Sequence, residues 1–310
     1  MGAMGTGADA LAVEFQRHRT HLLGVAYRLT GSLSDAEDAV QEAWLRLARL
    51  PDGDRAAIRE PRGWLTTVVS RLCLDRLRSA VAVRERYVGT WLPEPLLTRI
   101  DGPPDPLDDV VRDEGVRMAA LVVLERLTPE QRVAFVLHDA LVVPFAEIAD
   151  VLGCSVTTAR QHASRARRAV AEADPPPRIS LDEQHAVLEA FVAALATGDV
   201  RAVTALLHPA AVVLGDGGGR ERTARRPVTG ADKVARFLLG LQQRYGAARL
   251  AAAETPVLVN GDLGLLFPAF PGDGAHPPLG RRVSCFAVRG GRIAAVYDVV
   301  SPDKLTRVPG

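Results

Sequence analysis

The sequence predicts a multidomain chain, two all-α domains followed by one α+β domain, and three observations predict it. At 310 residues the chain exceeds what one hydrophobic core usually holds. Helical periodicity runs almost unbroken to Pro177 and then gives way to short strand-like runs. Two stretches interrupt the helical pattern. Residues 89–106, GTWLPEPLLTRIDGPPDP, carry five prolines, which forbid a continuous helix and favour an extended tether. Asp174-Pro175-Pro176-Pro177 reads as a stiff hinge. The expected division is therefore 10–88, a linker at 89–106, then 107–173 and 180–306.

The elements follow in order. Ser34 with Glu37 reads as a capping box, and Ala36, Ala39, Val40, Ala43, Trp44 and Leu47 then recur at helical spacing. Thr128 caps another helix, with Pro129 in its first turn and Gln131 able to reach back. Ser180 with Glu183 opens a helix to about Thr197, and Gly198-Asp199 leads into a second one ending near Leu207. Strand-like runs lie at 210–214, 253–259, 263–268, 281–288 and 292–300, with a helix at 231–244 after the first. Helices followed by antiparallel-compatible strands imply an α+β domain.

Composition narrows the class. Apolar residues make up 47% and charged residues 24%, as in ordinary globular chains. The 38 Lys plus Arg nearly cancel 37 Asp plus Glu, leaving +1, so any nucleic-acid surface must be a local patch. Cys73, Cys154 and Cys285 have neither metal-ligand spacing nor a disulfide framework, and no metal or other cofactor is expected. Apolar runs are far too short for a membrane span, and no secretion signal opens the chain. Met1-Gly2-Ala3 reads as an extraneous leader before Met4. The expectation is a soluble cytoplasmic protein with no membrane partner.

The most informative stretch is 144–170, PFAEIADVLGCSVTTARQHASRARRAV. Phe145, Ile148, Ala149 and Leu152 give a short helix an apolar face, and Gly153 supplies a left-handed turn. Ser155 caps the next helix, where Val156, Ala159, Ala163, Ala166 and Val170 recur at spacings of 3, 4, 3 and 4. Thr157, Gln161, Ser164 and Arg168 face the other way, flanked by Arg160, Arg165 and Arg167. A helix anchored by small apolar residues and lined with Arg, Gln, Ser and Thr suits the major groove. The alternative is a surface helix whose arginines are merely solvated.

A second basic helix runs from Arg62 to Arg78 and carries Trp64. Its arginines can follow a phosphate backbone, while Trp64 either stacks on an unpaired base or belongs to the core. Upstream, Asp35, Glu37, Asp38, Gln41 and Glu42 form an acidic helix, which points to a protein partner rather than DNA.

With these motifs in place, residues 10–173 resemble bacterial extracytoplasmic-function sigma factors. The carrying stretches are YRLTGSLSDAEDAVQEAWLRL, EPRGWLTTVVSRLCLDRLR, LTPEQRVAFVLHD and FAEIADVLGCSVTTARQHASRARR. The resemblance implies a σ2 bundle, a σ4 helix-turn-helix, and core RNA polymerase (clamp and flap) and promoter DNA as partners. It implies that the acidic helix docks on the polymerase clamp. It assigns the −10 element to 51–78, through Arg62, Trp64, Thr67, Ser70, Arg71, Arg76 and Arg78. The −35 element falls to Thr157, Thr158, Arg160, Gln161, Ser164, Arg165 and Arg168. Where many members carry Asn in the −10 helix, this chain has Arg71.

The resemblance narrows to a subgroup with a fused C-terminal domain similar to SnoaL and nuclear-transport-factor-2-like folds, a curved sheet wrapped into a hollow cone. Its signatures are Trp91-Leu92-Pro93-Glu94-Pro95, Asp216-Gly217-Gly218-Gly219-Arg220, and Pro302-Asp303-Lys304-Leu305, with Ser301 where many relatives have Asn. These motifs are expected to hold the linker and set the spacing of the two DNA-reading domains, whether to inhibit or to assist. Triple glycine also reads as a plain flexible loop. The hollow leaves room for a small-molecule ligand. His185, His208, Tyr245, Tyr297 and Asp298 are the titratable or aromatic candidates there, none set in a motif that demands chemistry, so no enzyme activity is expected. Two other readings compete: a DNA-binding ligand sensor that never recruits polymerase, and an enzyme carried on a DNA-binding module.

Overall fold

The computed structural model describes residues 3–84, 89–98, 100, 110, 114–253 and 255–308. The linker's residues 99 and 101–106, the domain edges at 88 and 107, and position 254 of one strand run lie outside them. The chain divides into two compact units. One comprises 1–83, 106–116 and 120–174; the other comprises 84–105, 117–119 and 175–310.

The first unit is helical. α1 (Ala3–Thr30) turns at Gly31, φ 66°, into α2 (Leu33–Arg49), followed by the short α3 (Asp52–Ala56) and α4 (Pro61–Arg84). The cap of α2 is Ser32, whose side chain accepts from Asp35 N at 3.2 Å, two residues before the expected Ser34. The shift has a local cause: Gly31 completes the turn, so the first free N–H groups fall two residues earlier. Alanines 36, 39 and 43 of α2 are buried, as are Leu22 and Ala26 of α1 and Leu65, Val69 and Leu74 of α4.

After α5 (Met118–Leu124) come α6 (Pro129–Phe135), α7 (Phe145–Leu152) and α8 (Val156–Ala173). Thr128 and Gln131 make the expected capping box, Gly153 adopts φ 66°, and Ser155 caps α8 through Thr158 N at 3.1 Å. Asp174, φ 42°, ends α8 ahead of Pro175. Both helical regions belong to one unit, and buried Arg132 shows how they are tied. Its guanidinium donates to Leu29 O at 3.0 Å and to Glu125 Oε1 at 2.6 Å, so α6 holds the end of α1.

The second unit is α+β. α9 (Leu181–Thr197) and α10 (Val200–Ala205) precede β2 (Leu207–Asp216), then come β3 (Val228–Thr229), α11 (Ala231–Tyr245) and α12 (Ala247–Ala253). β4 (Thr255–Val259), β5 (Asp262–Phe267), β6 (Arg282–Arg289) and β7 (Arg292–Val299) follow. α12 stands where the sequence offered only the approach to a strand; its AARLAAA composition favours helix. β1 (Leu97–Thr98) comes from the linker, and the sheet order is β1-β4-β5-β6-β7-β2-β3. β2 pairs parallel with β7 with a register shift between Leu207 and Val212, where Pro209 lacks an N–H to donate. Phe191, Val203, Val213, Val234, Leu265 and Ile293 form the heart of the core between sheet and helices. No described helix is long and apolar enough to cross a membrane.

Candidate functional site

Within the α+β unit, the linker is clasped by one buried carboxylate. β2 delivers Asp216 to its end, where the backbone N–H groups of Val300 and Ser301 donate to Asp216 O at 2.8 and 3.0 Å. The side chain is 0% exposed. Its Oδ2 accepts from Leu92 N at 2.8 Å and from Lys304 Nζ at 2.6 Å, and its Oδ1 accepts from Gly218 N at 3.1 Å. Lys304 also donates to Leu92 O and sits 3.7 Å from the centroid of the Trp91 ring. One ammonium is thus read by a carboxylate, a carbonyl and a π face.

The glycines are needed for this approach. A Cβ at Gly217 would lie 2.3 Å from Glu221 O, and one at Gly218, φ +62°, would lie 2.5 Å from Ser301 Oγ. Gly217 and Gly218 therefore lie in a close-packed turn, the first against Glu221 and the second against Ser301, rather than in a loose loop. Arg220 reaches Asp303 at 3.1 Å, not the linker, and both are well exposed. Leu305 is buried and Pro302 exposed.

Beyond Leu92, the buried Pro93, Glu94, Pro95 and Leu96 lead into sheet pairing. Leu96 N donates to Asn260 Oδ1 at 3.1 Å, Asn260 N returns a bond to Leu96 O at 2.8 Å, and Leu97 and Thr98 pair antiparallel with Val259 and Leu258. A second anchor lies past the linker. Buried Arg117 donates to Asp262 Oδ2 at 2.8 Å and to Pro176 O at 3.0 Å. Gln184 joins Asp262 Oδ1 at 3.1 Å and accepts from Leu263 N at 2.7 Å. The sequence reading missed Asn260, Asp262, Arg117 and Gln184. Asn260-Gly261 does signal a two-residue hairpin, but nothing local tells that its amide would also grip the linker.

The helical unit presents two basic helices in different states. On α8, Ala159, Ala163 and Ala166 are buried, while Thr157, Arg160, Gln161, Ser164, Arg165 and Arg168 are exposed. Thr158 is half-buried with its hydroxyl 2.9 Å from Ser155 Oγ. Arg167 pairs with Asp139 at 2.6 Å, and Val156, expected on the packed face, is 37% exposed.

On α4 the assigned residues are largely engaged. Ser70 is fully buried and its Oγ lacks a hydrogen-bond partner, so in this arrangement it does not face DNA. Arg71 donates to Asp150 O at 3.0 Å, and Arg78 pairs with Glu130 at 3.0 Å. Arg76 donates to Asp35 O and lies 3.6 Å from Asp38, joining the acidic helix to the basic one. Trp64 and Thr67 are half-buried and Arg62 is exposed. Arg62 donates to His21 Nδ1 at 3.0 Å, and the Nε2 of His21 lies 3.1 Å from Thr66 Oγ1. Because Arg62 can only donate, Nδ1 must be unprotonated. Burial, and then the Arg62 charge, lower the His21 pKa to about 4. Asp35, Asp38 and Gln41 of α2 are exposed, Glu37 and Glu42 half-buried.

The remaining candidates scatter. His185 is exposed, His208 is half-buried, and Tyr297 and Tyr245 are buried. Asp298 is buried and lines a cavity in the α+β unit. Burial pushes the Cys73 thiol up to about 12, and no group of three or more potential metal ligands occurs among the described residues.

Comparison with known proteins agrees with this layout. Residues 15–82 match the family Sigma-70 region 2, 117–170 match Sigma-70, region 4, and 188–296 match the SnoaL-like domain. The chain is 52% identical over 299 residues to the ECF RNA polymerase sigma factor SigJ of Mycobacterium tuberculosis, covering 96% of this chain and 93% of that protein. It is 38% identical over 236 residues to the probable ECF RNA polymerase sigma factor SigI of the same organism, covering 74% and 77%. The crystal structure of M. tuberculosis SigJ superposes with a TM-score of 0.81 at 49% identity, covering 95% of this chain and 98% of that one.

Proposed function

Because the chain belongs to the extracytoplasmic-function RNA polymerase sigma factors, its task is transcription initiation, and we propose that its SnoaL-like domain gates that task in cis by gripping the linker. The observation that carries the reading is Asp216, a fully buried carboxylate that takes the Leu92 N–H and the Lys304 ammonium together. A linker held at residues 91–98, with Arg117 held just before α5, limits how far the −10-reading and −35-reading helices can separate. Promoter elements at a fixed spacing require that separation to be right.

The same reading assigns the exposed face of α8, Thr157 to Arg168, to the −35 element, and the exposed acidic face of α2 to the polymerase clamp. Region 4 would meet the flap. Arg62, Trp64 and Thr67 remain the accessible part of the −10 surface. Arg71 and Arg78 must first leave Asp150 and Glu130, which supports a resting rather than a DNA-bound arrangement.

In vitro transcription on a promoter library with core polymerase tests the proposal, comparing 1–310, 1–177 and a form ending at residue 300. The form without Pro302–Leu305 is expected to differ from the full chain in transcript yield, upward if the clasp restrains and downward if it assists. Equal yields from those two forms would overturn gating by the clasp while leaving sigma activity intact.

A further inference from the structure

Asp216 can clasp the linker only in one orientation. Its Oδ1 is taken by Gly218 N at 3.1 Å, which leaves Oδ2 for Leu92 N and the Lys304 ammonium. That orientation depends on the path of residues 217–224, the segment leaving β2. The chain turns back at once, with Arg220 N and Glu221 N donating to Gly217 O at 3.0 and 2.9 Å. It then returns over the strand it came from. A Cβ at Gly215 would fall on Thr223 Oγ1 and 2.9 Å from Ala224 N, so Thr223 lies directly against the residue before Asp216.

The returning end is pinned by a second buried carboxylate. Asp298, 6% exposed, accepts from Thr223 Oγ1 at 3.0 Å through Oδ2 and from Ser284 Oγ at 2.9 Å through Oδ1. On β7 it stands opposite Gly215, one step before Val299 pairs with Asp216. Three consecutive glycines leave the segment many backbone states, and tying its far end removes them. The tie is retained because a buried carboxylate that loses a donor is costly.

We infer that Thr223 and Asp298 are positioning residues for the linker clasp: their hydrogen bond holds residues 217–224 in the path that aims Asp216 at Leu92 and Lys304. The inference rests on the clasp reading and adds a control point outside it. Among the described residues, neither Thr223 nor Asp298 makes a hydrogen bond or ion pair to residues 91–98. The linker carries its own internal reference, because Leu92 N is held by Asp216 whereas Leu96 N is held by Asn260. Ser284 supplies a second one: it feeds the same Asp298 carboxylate from β6, with no part in the path of 217–224.

The test is amide hydrogen exchange on the full chain, resolved to single residues. Thr223→Val keeps the side-chain shape and removes the donor. It should speed exchange at Leu92 about ten-fold, the effect of one lost hydrogen bond to a charged group, while Leu96 stays within about two-fold. Thr223→Ser should restore the slow rate at Leu92, and Ser284→Ala should leave it unchanged. Thr223→Ala serves in the same role if the valine variant fails to fold. Asp216→Asn, measured alongside, reads the clasp itself and should also speed Leu92. Fast exchange at Leu92 in Asp216→Asn but not in Thr223→Val would overturn the positioning role and leave the clasp standing. No change in either variant would overturn both. Equal acceleration by Ser284→Ala, or of Leu96 along with Leu92, would reduce Thr223 to general support of the fold and overturn the inference.

Discussion

Two sets of charged contacts hold this molecule, and they differ in kind. In the α+β unit, Asp216 and Lys304 meet out of water, with the Leu92 backbone bonded to both. In the helical unit, Arg71 reaches the backbone carbonyl of Asp150 and Arg78 the carboxylate of Glu130, both from exposed positions on α4. A buried ion is held because leaving it alone is prohibitive, whereas an exposed pair exchanges readily with water, salt or phosphate. Under the proposed gating, the contrast gives the two different work. The first can act as a latch that opens as a unit; the second can yield to DNA without large loss.

Asp216→Asn strikes hardest at this difference. It leaves the Lys304 ammonium without its counter-charge, and urea unfolding of the full chain should show a loss of about 3 kcal/mol. Lys304→Met removes the ammonium from the Trp91 face and the Leu92 carbonyl while the backbone donors to Asp216 remain. A smaller loss, about 2 kcal/mol, is expected, together with a change in Trp91 fluorescence. Arg78→Ala, by contrast, should change stability by less than about 1 kcal/mol. A loss as large as that of Asp216→Asn would erase the comparison.

The mildest probe is pH. His21 has its pKa lowered from 6.5 to about 4, so between those values the unfolded chain binds the proton that the folded chain refuses. The unfolding midpoint should therefore fall as pH drops from about 6.5 toward about 4, and His21→Gln should flatten that slope.

Much of the fold was legible because its signals are local. Thr128, Ser155, Ser180 and Gly153 mark helix ends through contacts only a few residues long, and each stands where those contacts require. Ser34 misled because Ser32, equally able to cap, lies beside the turn at Gly31. β1 and β3 were invisible: each is two residues long, too short for periodicity to register. At the clasp, the motifs drew attention to Asp216 and Lys304, but Arg220 and Asp303 turn out to bond each other. The anchoring bonds of Asn260, Asp262 and Gln184 carry no local signal, since they reach partners 78 or more residues away in sequence. Nor could α4 announce that Arg62, Arg71, Arg76 and Arg78 would find acceptors within the protein, because an arginine has the same signature in sequence whether it awaits phosphate or a carbonyl.

The short pairing of Leu97 and Thr98 with β4 has one more consequence. A strand at the rim of a sheet offers unmet N–H and C=O groups to any extended chain that passes, and here the protein's own linker occupies part of that rim. Detaching the linker would bare that part of the rim together with the surface that Leu92 and Leu96 cover, both almost fully buried. The C-terminal domain produced alone is thus expected to self-associate edge to edge. Adding residues 89–100 back as a peptide should return it to a monomer, so the segment that joins the DNA-reading regions is also the domain's guard against aggregation.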